Sequence, residues 1–245
     1  MLGWLVVASR KNGMQRRDEI LDAALDCFVQ RGVLATGIED IRKAAKASPS
    51  SIYHQFDGIS DIMVALVARI AGSQYTRMAE AVAAAGSFER AVRGLVEAML
   101  AWTFAHEKEA RFMYQAFAAE LGPERKAMEA AKHGQRASLD AALAKWTAGT
   151  PLARWSHLEL SVILLGAAHQ ACRFYLAGQP IDRAWMTSTL PALAWTAVES
   201  VKSKTRYPSR SAGSSNPRGD SSHGVRHRSA SSRTKPRAPS GITRR

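Results

Sequence analysis

The sequence predicts an all-α fold, with an N-terminal three-helix helix-turn-helix segment followed by a larger C-terminal helical body. Three observations carry the prediction. Alanine-rich stretches and scarce β-branched runs favour helix, and Gly and Pro are sparse before residue 202. Two helix starts lie only twelve residues apart, at Thr36 and Ser48. Charge is concentrated at one end: residues 202–245 hold 12 Lys/Arg against the single Asp220, whereas the preceding 201 residues hold 22 basic and 20 acidic residues. The +13 net charge therefore belongs almost entirely to the tail, and the helical body is close to neutral. With 245 residues, 46% of them hydrophobic, the chain can bury one large core or two modest ones. Two cysteines, Cys27 and Cys172, exclude a disulfide framework and fit a cytoplasmic protein.

The chain opens with MLGWLVVA, an apolar run with no preceding basic residue and too short to span a membrane. Residues 1–13 are expected to be a disordered leader, or the product of a start codon placed upstream of Met14. Arg10, Lys11, Arg16 and Arg17 follow, a basic run suited to lying along phosphates. A first helix is predicted from Gln15 to Arg31, with Ile20, Ala23, Ala24, Cys27 and Phe28 as its apolar stripe and Gly32 as its C-terminal cap. Cys27 lies in that stripe and is read as a packing residue.

The stretch Thr36 to Phe56, TGIEDIRKAAKASPSSIYHQF, organises the N-terminal part. Thr36 and Glu39 have the spacing of a capping box, and Ile41, Ala44 and Ala45 are the expected inward residues of a brief second helix. Ser48 is a good N-cap, with Pro49 at the first helical position, where a missing N–H costs nothing. In the third helix Ile52 and Phe56 share one face, and Ser50, Ser51 and His54 point elsewhere. A short helix, a tight turn and a second helix with a small polar outer face describe a helix-turn-helix.

Ile20-Leu21-Asp22-Ala23-Ala24, Phe28, Gly32, Thr36, Asp40-Ile41, Ser48 and Ile52-Tyr53-His54-Gln55-Phe56 resemble, in order and spacing, the N-terminal domain of TetR-type transcriptional regulators. The resemblance covers about Arg17 to Leu66. It departs from the family at Lys46, where a turn glycine is usual and a left-handed backbone is expected, and at Ile59, where a phosphate-touching lysine is usual. It implies that Ser50, Ser51 and His54 meet DNA, that the Tyr53 hydroxyl binds a phosphate, and that Arg42, Lys43 and Lys46 contact the backbone. Thr36, Ser48 and Pro49 belong to the same interface, the last two mainly by shaping the helix start. No Arg or Asn stands where a bidentate base reader would, so the operator is not derivable.

Asp57-Gly58 breaks the pattern, and a long helix is predicted from about Ser60 to Ala85, with Ile62, Leu66, Ile70, Met78 and Val82 facing inward. Phe88 to about His106 follows, then Ala110 to Leu121, which is apolar on nearly all sides and so expected at the centre. Gly122-Pro123 stops it, and one helix is expected from Glu124 to Trp146. After a loop over Thr147 to Arg154, the last helices span Ser156 to Leu176 and about Asp182 to Lys202. The first of these has an apolar face of Leu158, Val162, Leu165, Gly166, Ala168 and Cys172. Apolar faces alone fit a core or an interface; the resemblance implies that both helices pack on a second copy, giving a homodimer that matches a palindromic operator.

Trp102, Phe104, Phe112, Met113, Tyr114, Phe117, Trp146, His169 and Phe174 are concentrated in this second domain. Each taken singly fits a core better than a pocket; the resemblance, to a family that binds small effectors between these helices, implies that together they form a mostly apolar aromatic cavity for an effector that is unidentified but apolar or aromatic. The domain boundaries expected are 1–13 for the leader, 14–74 for the DNA-binding domain, 75–202 for the ligand-binding and dimerisation domain, and 203–245 for a disordered basic tail. Arg218-Gly219-Asp220 is read as a chance tripeptide, and His223 with His227 lacks the supporting ligands a metal site needs. No cofactor and no membrane association is expected. No Gly-x-Ser-x-Gly, His-Glu-x-x-His, Cys-x-x-Cys or glycine-rich phosphate loop occurs, which argues against an enzyme. His157-x-Glu159 begins a zinc-deaminase pattern that no Pro-Cys-x-x-Cys completes. The reading is a sequence-specific regulator, expected to be a repressor released from its operator by ligand. The alternative is a sequence-indifferent nucleic-acid-binding protein driven by the tail.

Overall fold

The computed structural model describes residues 2–119 and 122–203, and within them every regular element is helical. The basic tail lies outside the described residues, beyond Ser203, so nothing of its expected disorder is tested. Helix α1 runs from Leu2 to Arg31. The backbone of the expected leader, from Leu2 onward, thus continues α1 instead of forming a separate segment. Gly32 ends the helix as expected: its φ of +90° is open to glycine at little cost, and its N–H donates to the Phe28 carbonyl at 2.9 Å.

Helices α2 (Ile38–Ala44) and α3 (Pro49–Gln55) form the pair predicted from the two close helix starts. The first start is one residue later than the capping box implied. Gly37 is the N-cap of α2, and the Asp40 carboxylate accepts from its N–H at 3.0 Å. Thr36 is buried, and its hydroxyl donates to the carbonyls of Gly32 at 2.8 Å and Cys27 at 3.2 Å. It closes the α1–α2 loop from inside. The inward residues also differ: Ile41 is buried, but Ala44 is exposed and Ala47 in the turn takes the buried place. Ser48 caps α3 as expected, accepting from the Ser51 N–H at 3.1 Å, which contributes about 1 kcal/mol.

Helix α4 (Ile59–Ala83) is the long connector. Ile62, Leu66 and Ile70 belong to a core with α1, α2 and α3, whereas Met78 and Val82 belong to a second core with α5 (Phe88–Ala105) and the later helices. The structure therefore realises two cores strung on one helix.

Two expectations fail beyond α5. Helix α6 (Glu107–Ala118) is amphipathic, burying Ala110, Phe112 and Ala116 while Gln115 is exposed; it begins earlier than the apolar run because Glu107 and Glu109 occupy its first turn, where acids are favoured. Glu124 to Trp146 is two helices, α7 (Pro123–Gly134) and α8 (Ala137–Thr147). The break follows from packing. Gln135 lies against α4 at Gly72, where even a Cβ would stand 3.2 Å from its Oε1. Arg136 is buried, bonding Asp140 at 3.0 Å with its guanidinium 5.7 Å from the Tyr75 ring centre. A 3₁₀ turn (Pro151–Arg154) leads to α9 (His157–Leu176), opened by a Ser156–Glu159 capping box, and to α10 (Arg183–Ser203), capped by the Asp182 carboxylate.

Candidate nucleic-acid interface and ligand cavity

The turn between α2 and α3 depends on one strained residue. Lys46 has φ +47°, the only positive φ among the described non-glycine residues. Its ammonium is thereby carried on a backbone that glycine would adopt at lower cost. The Ala47 N–H closes the turn on the Arg42 carbonyl at 3.0 Å. Across from it, Arg16 of α1 donates to the Lys46 carbonyl at 3.1 Å and to Ser51 Oγ at 3.3 Å, and pairs with Glu19 at 2.7 Å. Arg17 places its guanidinium 4.4 Å from the centre of the Phe56 ring. Both arginines, expected along phosphates, instead brace the helix-turn-helix from α1.

Ile52 and Phe56 are buried on the inner face of α3, so its outer face is set. Ser50, Tyr53 and His54 are exposed there, Tyr53 to 59%. Lys43 and Lys46 are exposed beside them, and Ser48 and Pro49 form the exposed helix start. Ser51 is half-buried under Arg16, and Arg42 is half-buried between Glu39 and the Ala47 carbonyl. Thr36, being buried, is removed from the expected interface: its hydroxyl is satisfied by main-chain carbonyls. Sequence reasoning read Arg16 only as part of a basic run and missed its bracing contacts, whose partners lie 30 and 35 residues away.

The second domain contains a cavity of about 350 Å³ between α4, α5, α6, α7 and α9. Trp102, Met113, Tyr114, Phe117 and His169 of the expected aromatic set line it. Phe174 borders an adjoining hollow that shares Tyr114, Ala118 and Arg173 with the first. The other three lie elsewhere. Phe112 is fully buried against Phe28 of α1, ring centres 5.4 Å apart; Phe104 packs on Tyr175 at 5.3 Å; Trp146 stacks on Phe88 and donates to the Val82 carbonyl at 3.2 Å. Sequence reasoning missed the polar lining: Gln74, Thr103, Lys132, Ser161 and Arg173. Lys132 had a signal, since Met128, Ala131 and Lys132 fall on the inward side of α7 at helical spacing.

Inside the cavity, Tyr114 Oη lies 3.0 Å from His169 Nδ1 and 3.3 Å from the His169 carbonyl. Burial, with Lys132 adding repulsion, pulls the His169 pKa down to about 4, so the imidazole is neutral at pH 7. Burial likewise raises the Tyr114 hydroxyl and pushes the Cys172 thiol up to about 11. The Lys132 ammonium is held below the ordinary lysine value, first by burial and then by Arg136. Its Nζ stands 5.0 Å from the Phe117 ring centre. Among the described residues no cluster of three or more His, Cys, Asp or Glu gathers as a metal site, and no helix is long and apolar enough to cross a membrane.

Helix α6 is the wall between cavity and DNA-binding head. Met113, Tyr114 and Phe117 face the cavity, while Phe112 packs on α1 and Lys108 reaches Asp26 of α1 at 2.5 Å. Arg69 of α4 adds a second tie, bonding Asp22 at 2.8 Å.

Residues 20–66 match the family model described as bacterial regulatory proteins, tetR family. The HTH-type transcriptional repressor KstR2 of Rhodococcus jostii (strain RHA1) is 47% identical over 49 residues, 20% of this chain and 23% of that protein. The likeness thus spans less than a quarter of that relative. Solved structures extend it at the level of fold. A TetR family transcription regulator from Marinobacter aquaeolei VT8 superposes with a TM-score of 0.63 at 16% identity, over 77% of this chain and 97% of that one. The transcriptional regulator FadR from Bacillus subtilis, in complex with stearoyl-CoA, gives 0.58 at 17% identity, over 76% and 97%.

Proposed function

We infer, from a chain whose residues 20–66 are the helix-turn-helix domain of the TetR family and whose described helices take that family's fold, a DNA-binding transcriptional regulator of the cytoplasm. One observation carries the reading: α3 buries Ile52 and Phe56 while exposing Ser50, Tyr53 and His54 beside Lys43 and Lys46. Short polar side chains on the outer face of a braced second helix suit a major groove, and flanking ammonium groups suit phosphates.

A second copy of the chain completes the reader. Leu158 and Val162 on α9 are 66% and 62% exposed, and Trp185 and Leu193 on α10 are 46% and 49% exposed. Inward residues of the same helices, Leu165, Ala168 and Cys172 among them, already fill the second core, so the outward stripe is left for a partner. A two-fold dimer presents two α3 helices to half-sites about 34–36 Å apart.

The regulation proposed is repression relieved by a small effector. A ligand entering the cavity displaces Met113, Tyr114 or Phe117; α6 then moves against α1 through Phe112–Phe28 and Lys108–Asp26, and the spacing of the two heads changes. Non-enzymatic action agrees with this reading, in which the cavity binds without chemistry.

The test is binding of the full-length protein to the DNA upstream of its own gene, at near-physiological salt with excess non-specific competitor. Retained binding to a short palindrome supports a site-specific regulator, which typically prefers its site by about 10³-fold or more. Binding that vanishes under competitor favours the sequence-indifferent alternative, driven by the basic tail. Val162→Glu combined with Leu193→Glu is expected to yield a monomer in sedimentation experiments and to abolish palindrome binding.

A further inference from the structure

The cavity has a charge signature that an apolar or aromatic ligand does not explain. Lys132 and Arg173 both line it, and among the described residues no carboxylate does. Glu129, the described acid whose charge acts on Lys132, is engaged with Arg125 at 3.0 Å; Asp140 is engaged with Arg136 at 3.0 Å, and Glu107 accepts from the Tyr175 hydroxyl at 2.5 Å. Neither Lys132 nor Arg173 has an ion pair among the described residues. A half-buried ammonium over the Phe117 ring, with no ion pair among the described residues and only the charge of Glu129, itself paired with Arg125, acting on it from a distance, is a cost to folding unless something else offsets it.

The adjoining hollow repeats the pattern. Arg111 and Arg173 line it together with Gln115, Gln170 and Gln179, again without an acid among the described residues. Arg111 is already bonded to the Leu176 carbonyl, so Arg173 is the guanidinium that stands between the two spaces with its donors to offer. The inner space has an apolar side made by Trp102, Met113 and Phe117. From inside outward, the lining passes from aromatic and aliphatic groups to one ammonium, then to guanidinium and amide donors.

We propose that the cavity takes an amphipathic anion, its apolar body against Trp102, Met113 and Phe117 and its negative group held by Lys132 and Arg173. The proposal rests on the reading of this cavity as the effector site and names the class of effector. Two sources share the chemistry. A free long-chain carboxylate puts its charge directly on Lys132. An acyl chain on a phosphate-bearing carrier leaves a neutral thioester near Lys132 and its phosphates at Arg173 and the amide-lined outer hollow. The free carboxylate supplies the charge that Lys132 lacks and raises the lysine's proton affinity, whereas the carrier-bound chain places its charge on Arg173.

The test is calorimetric titration of the full-length protein without DNA, using dodecanoate, dodecanoyl-coenzyme A, free coenzyme A and the neutral dodecanol. A charge-assisted contact to one ammonium predicts that dodecanoate or its thioester binds about tenfold or more tighter than dodecanol. Lys132→Met keeps the aliphatic stem and removes the charge. It is expected to erase the preference for dodecanoate while leaving dodecanol binding unchanged, which also certifies the fold. Arg173→Gln is expected to weaken the coenzyme A thioester selectively if the phosphate-bearing source is correct, and to leave it unaltered if the free acid is. Equal binding of dodecanol and both anions, retention of the preference in Lys132→Met, or no binding of any probe overturns the proposal. DNA binding is measured on the same preparations. Loss of operator recognition with the anion preference intact refutes the regulator, not the ligand class.

Discussion

His169 provides a titration built into the cavity between α4, α5, α6, α7 and α9, and its perturbation is His169→Gln. The imidazole faces Tyr114 and Lys132 from α6 and α7, Cys172 lies one turn along α9 beside the same hydroxyl, and Arg173 borders the same cavity. Tyr114 and Cys172 stay neutral below pH 8, so what opposes protonation is burial first and the Lys132 charge second. In the unfolded chain a histidine binds its proton near pH 6.5; in the folded chain it does so only near 4. Between those values the unfolded state holds more protons, so stability falls as pH falls from about 6.5 to about 4 and is unaffected above that window. The full displacement corresponds to about 3 kcal/mol, a substantial part of a typical domain's stability. The assay is urea unfolding at fixed protein concentration, because a dimer's stability depends on it, from pH 7.5 down to 4. The wild-type free energy should fall more steeply than that of His169→Gln by about one proton below pH 6.5. Parallel curves would refute the claim that His169 is buried neutral.

Three further outcomes follow from the head. Lys46→Gly relieves the φ of +47° and should stabilise the protein by about 1 kcal/mol in urea unfolding, while removing one exposed ammonium from the DNA face. Arg16→Ala removes the bonds to the Lys46 carbonyl and Ser51; it should destabilise by about 1 kcal/mol and reduce operator affinity, whereas Arg16→Lys restores the charge but not the two-point brace. Tyr53→Phe leaves an exposed ring in place, so stability should stay within about 0.5 kcal/mol; affinity should fall equally for operator and unrelated DNA if the hydroxyl meets a phosphate, and a loss confined to the operator would assign it to a base.

The helix-turn-helix was legible in the sequence because its determinants are local. Ser48 and Pro49 start α3, Gly32 ends α1, and Ile52 with Phe56 fixes the buried face within four residues. The shift of the first cap from Thr36 to Gly37 was not legible, since it depends on Thr36 finding the Gly32 and Cys27 carbonyls behind it. The same holds for the break at Gln135 and Arg136: the local pattern favours one helix, and the packing of Gln135 on Gly72 and of Arg136 on Tyr75 overrules it. For the cavity, aromatic content found the neighbourhood but not the lining. Phe112 and Trp146 carry the same letters as the wall residues yet serve the cores, and the lysine that sets the charge looked like one more solvated residue on α7.

The twelve-residue α6 presents Phe112 to the head and Met113, Tyr114 and Phe117 to the cavity. Adjacent residues on one rigid rod cannot be tuned independently. Enlarging the cavity at Met113 to admit a bulkier effector also shifts the bed on which Phe112 meets Phe28, so a change of diet carries a change of grip on DNA. Descendants of this protein that switch effectors should therefore accumulate paired substitutions, one on the cavity side of α6 and a compensating one on α1 near Ala24 or Phe28. Neither half of such a pair would be neutral alone.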